Sequence, residues 1–127
     1  MIGPSFALAI ALIAGPITAE EVAAGLALAP DARDALDRKL NDYPSARFRD
    51  VYVTVNGSVV GHRGSYFCGL VNAKNRMGAY TGWTDFVVSG SNVFILGDGV
   101  LGSLVSDMCG SDDPRDDTDR TALLISR

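Results

Sequence analysis

A chain of 127 residues with a net charge of −4 holds one domain. Its 11 Lys and Arg against 15 Asp and Glu argue against a nucleic-acid partner, which needs a clustered basic surface. One His and two Cys exclude metal sites built on several of either, and leave His62 as the single imidazole open to catalysis.

Residues 1–19 carry no charged side chain. Phe6 to Ala14 is an unbroken apolar run, ended by Gly15 and Pro16. It is shorter than the roughly 20 apolar residues that a membrane-spanning helix needs. It fits the apolar core of a signal peptide, with Ile17 and Ala19 preceding a cleavage after Ala19. The leading residues lack the usual Lys or Arg, and the alternative is a buried N-terminal helix of the domain. With cleavage, no transmembrane segment remains. The expected location is the periplasm or the exterior of a bacterium. No Cys follows the run, so the usual acceptor for a lipid anchor is absent.

Residues 20–30 read as a linker, with a short helix as the alternative, because Gly25 weakens an isolated helix. Residues 31–110 read as a single α+β domain. A helix is expected from Pro30-Asp31, where proline and an early acid both suit a first turn. Ala32, Ala35, Leu36, Lys39, Leu40 and Tyr43 give it one mostly apolar face, and Pro44 stops it near Asp42-Tyr43. So modest a face needs a sheet to hold it.

Phe48 to Val55 alternates with period two and reads as a strand. Asn56-Gly57 is a hairpin signal, Ser58–Val60 continues it, and Gly61–Gly64 suggests a bulge or flared loop. Further strands are expected at Tyr66–Asn72, Tyr80–Ser89 and Val93–Leu96, with short connections that imply an antiparallel sheet of about four strands. Ser103–Met108 is long enough for one or two helical turns that deliver Cys109. Residues 111–127 form an acidic tail. Its Asp-rich stretch up to Arg120 has no apolar residue, so the tail is expected to be disordered.

The stretch Cys68-Gly69-Leu70-Val71-Asn72-Ala73-Lys74-Asn75, followed by Gly78, Tyr80, Gly82 and Phe86, is the most distinctive in the chain. Together with Tyr43-Pro44-Ser45-Ala46-Arg47-Phe48 it resembles an uncharacterised family of small exported proteobacterial proteins with a C-G-x-V-N-x-K-N-x-x-G-x-Y-x-G motif. The resemblance spans about residues 31–109. It implies an envelope location and a shared fold, and it implies no activity. Leu70 stands where that family usually has an acidic residue, and the Ser58–Ser65 segment is longer than usual there. A second Cys near the end is common in the family.

In an exported chain, Cys68 and Cys109 are expected to pair, closing a loop of about 40 residues; two unrelated buried thiols are the alternative. Asn72, Lys74, Asn75, Arg76, Tyr80 and Trp83 form the candidate binding loop. Two amides and an ammonium on one turn can bind a carboxylate, a sugar or a peptide backbone, or the amides can simply build the turn. Strict alternation puts Trp83 on the face opposite Tyr80 and Phe86. His62, between glycines and beside Arg63, has no matched nucleophile. No metal, cofactor or catalytic residue is assigned. The expected function is a non-catalytic module that binds a protein or an envelope ligand. An inhibitor of a cell-wall hydrolase or protease is the alternative, and a small hydrolase is a third reading.

Overall fold

A computed structural model describes residues 15–55, 64–110 and 113–126. Four strands form one antiparallel sheet in chain order: β1 (Arg47–Val55), β2 (Ser65–Asn72), β3 (Thr84–Ser89) and β4 (Asn92–Ile95). Helices α1 (Ala19–Ala27) and α2 (Ala29–Lys39) precede the sheet, and α3 (Leu104–Met108) follows it. The α+β class, the four antiparallel strands and the Cys68–Cys109 disulfide all agree with the sequence reading. The apolar run Phe6–Ala14, the Asn56-Gly57 turn, the 61–63 interruption and His62 lie outside the described residues.

Residues 20–30 are helical instead of a linker. Thr18 caps α1: its hydroxyl accepts from the Glu21 amide at 3.1 Å, and the Glu21 carboxylate accepts from the Thr18 amide at 3.0 Å. Nine residues make a marginal helix alone, so packing has to hold it. Gly25, which weakens the helix in isolation, is what lets it dock. A Cβ there would sit 2.6 Å from Val53 Cγ1, closer than atoms can approach. Ser65 adds a hydrogen bond from its hydroxyl to the Glu21 carbonyl at 2.6 Å.

Helix α2 has Pro30 and Asp31 in its first turn and Arg38 and Lys39 in its last, matching the helix dipole at both ends. It ends at Lys39, short of the Asp42-Tyr43 expected from Pro44, because Leu40 already adopts an extended backbone. Tyr43–Ser45 forms a separate 3-10 turn. The small residues Ala29, Ala32 and Ala35, with Leu36, bring α2 close against the sheet.

The sheet has two unequal faces. The first packs Phe48, Val51, Val53, Phe67, Val71, Phe86 and Val88 under α1 and α2. Gly69 belongs to this face: a Cβ would meet Val51 Cγ2 at 2.8 Å and Phe86 Cε1 at 3.2 Å, so its bareness makes room for both. The second face carries a smaller hydrophobic cluster, in which Tyr66, Cys68 and Val87 pack with Val105 of α3. The disulfide fastens the residue after α3 to β2, with Cα atoms 6.0 Å apart. On β1 the register shifts between Arg49 and Tyr52, and Asp50 there takes a left-handed φ of 54°.

The C-terminal segment is docked, contrary to its reading as a disordered tail. The Val55 amide donates to the Pro114 carbonyl at 3.3 Å, and the Asp116 and Arg120 amides donate to the Val53 and Val51 carbonyls at 2.8 Å each. β1 is a sheet edge, and this segment satisfies its outward backbone groups. Leu124 then enters the first-face core with no exposed surface. Tyr43 donates its hydroxyl to the Leu124 carbonyl, and Arg33 reaches the Leu123 carbonyl at 2.8 Å. Composition alone misjudged this segment, because its order rests on backbone pairing and one apolar anchor.

Candidate functional site

Directly paired residues of neighbouring strands share a face. Arg49 pairs with Leu70, and Leu70 with Asp85; Arg47 pairs with Asn72. Leu70 lies two residues beyond Cys68, so all five belong to the second face, beyond the part that α3 covers. This half is open: Arg47, Arg49 and Asp85 are exposed and Leu70 is half-buried.

The loop over residues 73–83 borders it. The motif residues of this loop prove to be builders. Asn75 Oδ1 accepts from the Met77 amide at 2.9 Å and the Ala79 amide at 3.1 Å. Asn72 Oδ1 accepts from the Gly82 amide at 3.0 Å. Gly78 and Gly82 have φ of 82° and 96°, values that disfavour any other residue. Lys74 and Tyr80 form an isolated bridge across the loop. Of the candidate binding loop, the two asparagines therefore shape the turn. Arg76 and Met77 stand at its tip, Met77 with 92% of its surface exposed.

The two aromatic rings carry the cations. The Arg49 guanidinium lies 4.3 Å from the centre of the Trp83 ring, and Arg47 lies 4.5 Å from that of Tyr80. The Lys74 ammonium approaches the same Tyr80 ring at 5.4 Å. Tyr80 is pinned by its hydroxyl, which donates to the Ser45 carbonyl at 2.9 Å. Both rings thus serve the arginine face, while Phe86 lies in the opposite core. Trp83 lies opposite Phe86 as alternation has it, but Tyr80 shares the face of Trp83, because residues 80–83 precede β3, which starts at Thr84, and Gly82 breaks the extended path.

A fourth pair continues the pattern above the bulge, with the Arg115 guanidinium 4.2 Å from the Tyr52 ring. A recess of about 280 Å³ opens between these halves, walled by Asp50, Asp85 and Arg115. Burial pushes the Tyr52 phenol above its usual pKa, against the pull of Arg115. A separate hollow of about 520 Å³ lies on the α2 side of the loop, where Lys39 and Asp98 form an ion pair at 2.6 Å.

Arg47 and Arg49 were missed as site residues. Their signal was in the sequence: two arginines alternate about the buried Phe48. The rings that order them lie more than thirty residues away, beyond any local pattern. Stacking of this kind contributes about 0.5–1 kcal/mol per pair at exposed sites, enough to bias a side chain toward one position. Chemically the face presents fixed cationic forks flanked by apolar rings. Comparison with protein-family models, curated proteins and solved structures finds no match to this chain.

Proposed function

We propose that the chain is a non-catalytic, exported bacterial module that binds a protein or an envelope ligand through the open half of its sheet. One observation carries this: Arg47 and Arg49 lie over exposed rings on a part of the sheet that is open among the described residues. Rigid aromatic and arginine groups of this kind are the usual anchors of binding surfaces. The disulfide is compatible with an oxidising compartment, and the apolar run Phe6–Ala14 supports export.

Capture from the envelope and secreted fractions tests the reading. Arg47→Ala/Arg49→Ala protein should fold, at a cost of no more than about 1–2 kcal/mol for the two ring contacts, and lose the partner. A double variant that folds and captures everything the wild type captures overturns it.

The inhibitor reading has its own support in the protruding 75–78 turn. Its tip exposes Arg76 and Met77, while the Asn75 side chain braces it from within. A braced loop suits insertion into an enzyme cleft. Under that reading Met77→Ala, and not the arginine pair, abolishes binding.

A further inference from the structure

We propose that the open face takes an extended acidic peptide bearing carboxylates on alternate residues, an acid-x-acid motif seated on Arg47 and Arg49. This rests on the reading of the face as the binding surface and names what it binds. Arg47 and Arg49 stand two residues apart on one face of β1, so their stems are about 7 Å apart. Alternate side chains of an extended peptide have the same spacing. Each guanidinium lies over a ring by its central carbon, and its N–H donors can grip a carboxylate with two parallel hydrogen bonds. Half-buried Leu70, paired with Arg49, offers an apolar seat beside the fork.

Charge limits the length of the motif. Asp50 lies 4.0 Å from Arg49 Nε, and Asp85 faces the same surface across Leu70. A long polyanion laid on the face meets these carboxylates, whereas two alternating acids meet the arginines. The chain as a whole carries −4, so long-range attraction does not favour an anion and recognition has to be local. The complementary ligand is a short acidic motif in an otherwise neutral peptide.

Trp83 is the chain's one tryptophan and lies under Arg49, so its fluorescence reports on the site. The full, oxidised chain is titrated with a blocked seven-residue peptide of Ser and Val carrying Glu at its third and fifth positions. Saturable change in Trp83 emission is expected, weakened about tenfold by Arg47→Ala and by Arg49→Gln, and further weakened by salt. Peptides with Gln at both positions, or with two adjacent Glu, should bind at least about tenfold more weakly. No saturation by the alternating peptide, or equal binding of the adjacent-Glu peptide, overturns the proposal. So does tighter binding of polyglutamate, of polygalacturonate or of anionic lipid vesicles. If the arginine variants lose partner capture while the alternating peptide fails to bind, the peptide assignment falls and the face remains the binding surface.

Discussion

Tyr66 is buried on the second face and donates its hydroxyl to the Met108 carbonyl at 2.5 Å. Its pKa is pushed up to about 12, first by burial and then by Asp113 and Tyr52. Tyr43 and Tyr52 are also raised, with burial the leading cause in each. A phenol whose pKa rises on folding favours the fold while it stays neutral. Its contribution is therefore intact below about pH 10 and is lost as the pH climbs from there through about 12. Denaturant midpoints should be flat from neutral pH to about 9 and then fall. Tyr66→Phe, which has no proton to lose, should flatten that fall; an unchanged alkaline slope would exonerate Tyr66. Residue types at this scale were readable in advance, but their tasks were not. A glycine inside a strand, such as Gly69, marks a bulge or a close approach without saying of what. The space it vacates is filled by Val51 and Phe86, which only the folded sheet brings together. The sequence leaves Asn72 and Asn75 open as ligands or as turn-builders, and their amide partners make them turn-builders.

At the level of elements, the strands were legible because period-two patterning on β-branched residues is a local signal. Helix α1 and the C-terminal segment were not, because each is ordered by a tertiary contact. In α1 the contact is Gly25 against Val53; in the segment it is the open edge of β1. An absence of apolar residues predicts disorder only when no unpaired edge is waiting for backbone partners. This reverses the expected outcome of a truncation. Taken as a disordered tail, residues 111–127 could be deleted with no thermal cost. The packing instead makes Leu124 a core residue, with Tyr43 and Arg33 holding the carbonyls around it. Deleting 114–127 should lower the melting temperature by at least about 10 °C, and Leu124→Ala alone should cost about 2–5 kcal/mol. Calorimetry that finds the truncated chain unchanged would show that the segment does not dock in solution.

Across the whole molecule, one sheet separates two cores of different size and different reinforcement. The first face is closed by α1, α2 and the anchored Leu124. The second is small, and the disulfide compensates by tethering the end of α3 to β2 over a sequence separation of 41. In the chain-entropy account such a loop stabilises by roughly 4 kcal/mol. Placing the staple behind one half of the second face leaves the other half free for the arginines. A sheet is one residue thick, so each strand side chain belongs to one core or the other. Leu124 and Val105 are both fully buried, yet they sit in separate clusters. Sites that share no partner lose stability independently. A cycle of wild type, Leu124→Ala, Val105→Ala and the double variant should therefore be additive to within about 0.5 kcal/mol by chemical denaturation. The shortest covalent path between the two residues runs along the chain from Val105 through Cys109 to the docked segment. A coupling above about 1 kcal/mol would mean that this path transmits packing from one face to the other, and that the arginine face is not insulated from the helical core.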